Sequence, residues 1–226
     1  MREQAIILFT KSPSPRNVKT RLQPCLTGEE CCKLQRAFIL DIYSELLKTD
    51  ADIAVCYTPD GSIQDLEALA PDAAAFFPQY GDSLGDRMHN AFSHMLGLGY
   101  RRCLLIGSDI PLVSAEDVGE MLILLGNYDI VLCPTVDGGY YLIGMNEPCE
   151  RLFQLEVYGV STVFEKTIAA AVASGKTLAI GPQAMDIDNP QDLIVLAEKL
   201  KHESAIVCKE TRRVIKALGQ TPFYNS

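Results

Sequence analysis

Short apolar runs alternate with helical stretches along most of this chain, and that alternation restricts the fold more than any other feature. The runs are Ala5–Phe9, Ile53–Tyr57, Ala74–Phe77, Cys103–Ile106, Ile130–Cys133, Tyr140–Ile143 and Thr177–Ile180. Several are near-continuous in Val, Ile, Leu and Cys, the pattern of strands buried on both faces of a parallel sheet. The stretches between them carry helix punctuation. Thr27 with Glu30 forms a capping box for a helix running to about Lys48. Ser83 and Asp86 open a helix that ends near Gly97 and Gly99, Ser114 opens one that stops at Gly126, and Ser161 opens one that stops at Gly175. Asn189 as N-cap, with Pro190 at the first helical position, opens one that reaches about His202. A last helix, Ala205 to Leu218, precedes a polar tail. The spacing predicts an α/β fold in which helices cover a mostly parallel sheet. Ile130–Cys133 and Tyr140–Ile143 lack a helix between them, so one antiparallel or irregular insertion is expected there.

No repeat, low-complexity tract or linker divides the 226 residues. One domain over residues 1–202 is expected, with residues 203–226 as a C-terminal helix and tail packed on it, available also to a neighbouring copy in a homo-oligomer. The net charge of -9 argues against nucleic acid as a partner, which would call for a basic face. No apolar run is long enough to span a membrane and the N-terminus lacks a signal-peptide core, so the expected location is cytoplasmic. None of the eight cysteines forms a C-x-x-C pair, and Cys56, Cys103 and Cys133 lie in apolar strands; all are read as reduced and structural.

Against this acidic background, Lys11 to Leu22 carries four cationic side chains and no acidic one. The segment follows the first strand and contains Pro13 and Pro15. A local reversal of sign at a strand end suits an anion such as a phosphate chain. Other strand ends carry isolated carboxylates: Asp109 within Gly107-Ser108-Asp109-Ile110-Pro111, Asp137 before Gly138-Gly139, and Asp186 and Asp188 before Asn189-Pro190. In open α/β sheets ligands bind beyond the carboxyl ends of the strands. Magnesium is held by one or two carboxylates together with substrate phosphate oxygens. Asp109 and Asp188 are therefore the expected ligands for Mg2+ or Mn2+. Lys11, Lys19 and Arg21 would neutralise phosphate oxygens and stabilise a leaving diphosphate or pyrophosphate, with Lys19, Arg21 and Asp109 as the catalytic set. Asp137, with Gly138 and Gly139 allowing close backbone approach, would meet the acceptor or a sugar. Asp186 reads as structural, as do His89 and His94, whose five-residue separation does not stack ligands on one helix face. There is no G-x-x-x-x-G-K-[ST], no G-x-G-x-x-G between strand and helix and no G-x-S-x-G, which weighs against NTPase, dehydrogenase and hydrolase readings.

Several stretches in order carry a family resemblance: Lys11-x-Pro13 with Val18-Lys19-Thr20-Arg21-Leu22, Gly81-Asp82-Ser83-Leu84-Gly85-Asp86-Arg87-Met88, the Asp109 loop, Asp137 to Gly144, and Asp186 to Leu193. Over about residues 3 to 200 the chain resembles a bacterial family of GT-A-fold proteins in the nucleotide-diphospho-sugar transferase superfamily, described as uncharacterised transferases or provisional glycosyltransferases. It is more distantly similar to guanylyltransferases acting on 2-phospholactate and on molybdopterin. The resemblance implies a three-layer α/β/α fold, a nucleotide over the first strand's loop contacted by Lys11, Lys19, Thr20 and Arg21, and a divalent metal at Asp109. It also implies that Leu84, Gly85 and Arg87 lie near the nucleotide. One departure is Arg16, where the family commonly has glycine; a non-glycine residue at positive φ there would be strained, or the loop runs differently.

A metal-dependent transferase with a nucleotide donor and a small-molecule acceptor follows. The leading form is glycosyl transfer from a nucleotide-diphospho-sugar. The alternative is nucleotidyl transfer from an NTP with pyrophosphate release. A third form is a domain that binds nucleotide without turnover. The cationic loop suits both chemistries, and the residues alone do not choose between them.

Overall fold

The computed structural model describes residues 3–155, 157–204 and 207–219. The strands are β1 (Gln4–Thr10), β2 (Asp52–Tyr57), β3 (Ala75–Pro78), β4 (Arg102–Gly107), β5 (Ile130–Pro134), β6 (Tyr140–Met145) and β7 (Leu178–Ile180). They form one seven-stranded sheet in the order β3-β2-β1-β4-β6-β5-β7. β2 and β4 flank β1 in parallel, and β7 runs parallel to β5. β6 is antiparallel to both β4 and β5, which is the insertion expected from the missing helix. β5 therefore points the same way as β4, and the C-terminal ends of β1, β4, β5 and β7 share one edge of the sheet.

Alternate residues along each strand enter separate cores, as the period of two requires. Ile6, Leu8, Val55, Leu104 and Ile106 pack under α1 (Gly28–Leu46), α2 (Ile63–Leu69) and α4 (Ala115–Leu124). Ala5, Ile7, Ala54, Cys103 and Leu105 pack under α3 (Leu84–Gly97) and α5 (Val163–Ala173). The result is a three-layer α/β/α arrangement. The caps read at Thr27, Ser83 and Asn189 are all capping boxes, the last completed by Asp192. α5 departs from expectation: its N-cap is Thr162, one residue beyond Ser161, and makes no side-chain cap bond. α2 was not expected; it has seven residues and a Ser62 cap on Asp65 N.

A third core, outside the two sheet faces, fixes the edge that concerns function. Val18, Leu22 and Leu26 of the basic segment pack with Leu34 and Phe38 of α1, with Ile187, and with Leu193, Leu196 and Leu200 of α6 (Pro190–His202). Apolar burial thus attaches the cationic loop to the segment that carries Asp188. The last helix, α7 (Lys209–Leu218), begins later than expected, residues 205 and 206 and the tail 220–226 lying outside the described residues. Its N-terminal amides are capped by another helix: Glu210 N and Thr211 N donate to Asp41 of α1 at 3.0 and 2.7 Å. All eight cysteines are free thiols, and burial pushes those of Cys56, Cys103 and Cys133 up to about 12. Cys31 and Cys32, adjacent on α1, are both buried. No helix among the described residues is long and apolar enough to cross a membrane.

Candidate active site

The cationic loop and the carboxylates meet at the shared sheet edge. After β1 the chain turns at Ser14, whose carbonyl accepts from Asn17 N and Val18 N, and then makes a short 3-10 turn over Thr20–Leu22. Two contacts fasten this loop to the end of β2. Ser12 N donates to Thr58 Oγ1 at 3.0 Å and Ser12 Oγ to Thr58 O at 2.6 Å. Asn17 Nδ2 donates to Asp60, whose carboxyl is held low by its hydrogen bonds to Thr58 and Asn17 with help from the Lys11 charge. Left-handed backbone occurs at Lys19 (φ 48°) and not at Arg16, so the strain expected of a glycine replacement falls three residues later.

Lys19 turns its side chain into the wall of the cleft, where only 3% of it is exposed. Its ammonium pairs with Asp109 Oδ1, donates to Ile187 O at 2.8 Å and lies 4.6 Å from the centre of the Phe38 ring. Lysine has three N–H donors. Two are taken by oxygens and the charge is sheltered by an aromatic face. Its partners are thus protein groups rather than an open position for phosphate oxygens. Arg21 is different: 71% exposed, it pairs with Asp188 Oδ2 at 3.0 Å. Lys11 is exposed and its ammonium approaches Asn17 O at 3.4 Å. Thr20 is exposed beside them.

The carboxylates form one cluster. Asp109 follows β4, and its carbonyl accepts from Ile187 N at 3.0 Å, which ties the two carboxylate-bearing segments backbone to backbone. Burial and the Asp109 charge raise the Asp188 carboxyl, against the opposing charges of Lys19 and Arg21. Asp186, read as structural from sequence, belongs to the cluster: it is pushed up to about 6, first by burial and then by Asp137, Asp188 and Asp109. Asp137 accepts from Thr135 Oγ1 and from Gly139 N, so it also shapes its own turn. Among the described residues no group of three or more His, Cys, Asp or Glu side chains is arranged to hold a metal alone.

The remaining sequence-predicted residues lie in the turn after β5 and at the start of α3. Gly138 has φ 89°, and a Cβ there would stand 2.1 Å from Ser161 O. Gly138→Ala therefore combines left-handed strain with a backbone clash and is expected to cost about 2 kcal/mol or more. A melting temperature within a degree of wild type would contradict this packing. Leu84 is exposed at the start of α3. Gly85 is buried, and a Cβ there would meet Phe153 O at 2.1 Å, so close packing alone accounts for it. Arg87 donates from Nε to Gly81 O at 3.1 Å.

The raised Asp186 carboxyl has a consequence for stability. Its proton is held more tightly in the folded chain than at the ordinary value of 3.8, so ionising it opposes folding. That penalty is absent at pH below the unfolded value and complete once pH passes the folded value of about 6. Asp186→Asn is expected to stabilise the ligand-free protein by about 1 kcal/mol at pH 8 and to leave it unchanged near pH 3. Equal effects at both pH values in thermal melts would refute the assignment.

The chain is similar to known proteins. A crystal structure from Desulfovibrio desulfuricans G20, provisionally named a nucleotide-diphospho-sugar transferase, is 32% identical, with 96% of this chain and 97% of that one covered at a TM-score of 0.88. A cytidylyltransferase from Leptospira borgpetersenii shares the fold at 13% identity, with a TM-score of 0.60 and coverage of 100% of this chain and 98% of that one. A 2-phospho-L-lactate guanylyltransferase from Methanothrix thermoacetophila is 29% identical over 203 residues, 89% of this chain and 84% of its own length. Residues 25–159, spanning the Asp109 loop and the Asp137 turn, match the family described as "Uncharacterized protein conserved in bacteria (DUF2064)", and to that family the chain belongs.

Proposed function

We propose that this protein is a nucleotidyltransferase. It moves a nucleoside monophosphate from an NTP to an oxygen of a small metabolite and releases pyrophosphate. One observation carries the reading: the cationic loop after β1 reaches the carboxylates at the ends of β4 and β7, through Lys19 to Asp109 and Arg21 to Asp188. Phosphate-neutralising and metal-type groups therefore share one cleft. The guanylyltransferase relative, aligned over most of both chains, supports this chemistry over glycosyl transfer.

The acceptor oxygen forms a bond to the α-phosphorus as the bond to the bridging oxygen of the β-phosphate breaks. Arg21, Lys11 and Thr20 meet the phosphate chain and stabilise the charge that develops on pyrophosphate. Lys19 holds the Asp109 carboxylate in place from behind. The turn at Asp137, Gly138 and Gly139 faces the acceptor. Asp109 and Asp188 suit a divalent cation: Asp109 Oδ2 and Asp188 Oδ1 make no hydrogen bond among the described residues, which leaves a hard oxygen donor on each. Such an ion, Mg2+ or Mn2+, would screen the triphosphate charge when bound.

Glycosyl transfer is the second reading, favoured by the provisional name of the Desulfovibrio structure. Incubation with each NTP and Mg2+ over a panel of small acceptors, beginning with GTP and 2-phospho-L-lactate, should release pyrophosphate. Release of nucleoside diphosphate from a nucleotide sugar, with no pyrophosphate from any NTP, would replace nucleotidyl transfer by glycosyl transfer.

A further inference from the structure

Beneath the cleft lies a polar bridge that the mechanism above does not use. Gln35, on the buried face of α1, is 2% exposed. Its carboxamide nitrogen donates to Ser108 Oγ at 2.8 Å and to Thr10 Oγ1 at 3.2 Å. The Thr10 hydroxyl lies 2.9 Å from Ser108 Oγ and 3.1 Å from Lys11 O. Thr10 and Ser108 are themselves 2% and 5% exposed. Thr10 is the last residue of β1 and Ser108 the first beyond β4: Thr10 immediately precedes Lys11, and Ser108 immediately precedes Asp109. A buried polar network costs stability unless its members are satisfied, so it persists where it fixes a geometry. One helical turn on, Phe38 of the same helix lies against the Lys19 ammonium.

We propose that Gln35 is a positioning residue, its carboxamide setting the spacing between the phosphate-binding loop and the Asp109 carboxylate through the hydroxyls of Thr10 and Ser108. An apolar side chain of the same size would fill the volume but remove both carboxamide bonds, so that beyond the backbone pairing of β1 and β4, which reaches Phe9 and Gly107, only the Thr10–Ser108 hydroxyl pair would join the two loops' first residues. The Lys19–Asp109 pair would remain, but the first residues of the two loops, Lys11 and Asp109, would be held to each other less tightly than the few tenths of an ångström that transfer demands. The catalytic part of this inference rests on the nucleotidyl-transfer reading; the mechanical part does not.

The test uses Gln35→Met, Ser108→Ala and the double variant of the full chain. Hydrogen–deuterium exchange and pyrophosphate release from GTP are measured well below each melting temperature. Gln35→Met should accelerate exchange in segments 9–18 and 105–110 while leaving α5 unchanged. It should also lower kcat about tenfold with KM for GTP within about threefold of wild type. The double variant should be little worse than either single one, because both cut the same bridge. If Gln35→Met does not fold, Ser108→Ala carries both readouts. Exchange that rises evenly over the chain, or a lower melting temperature with unchanged loop exchange and kcat, would reduce Gln35 to a packing residue and overturn the proposal. Loop-specific exchange in a protein that releases no pyrophosphate with any acceptor would uphold the bridge and remove the nucleotidyl-transfer reading instead.

Discussion

Asp109→Asn is expected to lower turnover by about a thousandfold, the largest effect of any single replacement in this molecule. Asparagine keeps the volume and one carbonyl oxygen, so Ile187 N still finds the Asp109 backbone carbonyl and the fold survives. What disappears is the negative charge, with two effects. Lys19 loses the anion that balances its buried ammonium, and the cleft loses one of the two carboxylates proposed to hold a divalent cation against a triphosphate. Calorimetric titration of GTP in the presence of Mg2+ should then show binding weakened to roughly the metal-free level of the wild type. Wild-type affinity and wild-type turnover in this variant would remove Asp109 from the site.

Lys19→Met should act on the ligand-free protein as strongly as on the reaction. A lysine that served only to meet phosphate would be dispensable to the empty fold. Lys19 instead has 3% of its side chain exposed and holds the Asp109 carboxylate and the Ile187 carbonyl together. Removing one partner of such a pair leaves the other charge uncompensated. Because Asp109 is 45% exposed, solvent screens part of that loss, and about 2 kcal/mol of destabilisation is expected rather than the full value for a buried pair. Turnover should fall at least a hundredfold as Asp109 and Asp188 repel one another. Arg21→Met, by contrast, removes a side chain 71% exposed, so it should leave thermal stability within about 0.5 kcal/mol of wild type while raising KM for the nucleotide. If Lys19→Met melts like the wild type without ligand, the lysine is a free phosphate contact and the wall described above is wrong.

The sheet was legible in the sequence because its signals are local. Each strand is a short apolar run, and the long helices announce themselves with caps such as Thr27/Glu30 and Asn189/Pro190. The antiparallel β6 was legible for the same reason, since no helix fits between Cys133 and Tyr140. α2 escaped because seven residues give too few turns for a period of 3.6 to show, although Ser62 followed by Asp65 is a cap signal that was present. Arg16 was the wrong place to look for left-handed backbone: a 3-10 turn begins at Thr20, and the residue before it, Lys19, absorbs the change of direction.

The site was legible as a list of charges at strand ends but not as a set of partners. That Lys19 and Arg21 share an edge with Asp109 and Asp188 follows from parallel β1 and β4 and from the third core, which packs Val18 and Leu22 against Ile187. That Lys19 is buried depends on the Phe38 ring and the Ile187 carbonyl, contacts distant in sequence that no local pattern encodes. Asp186 joins the acidic cluster through the approach of Asp137 from a separate loop, so its spacing to Asp188 alone gave no sign. Gln35 lies in an otherwise apolar helical stripe; a lone polar residue on such a face was the available signal, and its partners Thr10 and Ser108 come from the end of β1 and the loop after β4.

Anomalous diffraction from crystals grown with Mn2+ and a non-hydrolysable GTP analogue tests the whole account at once. A manganese peak between Asp109 and Asp188, with the α-phosphate beside it and the outer phosphates against Arg21 and Lys11, is the expected result. Nucleotide or metal bound elsewhere on the molecule, with those two carboxylates still engaged only by Lys19 and Arg21, would contradict it.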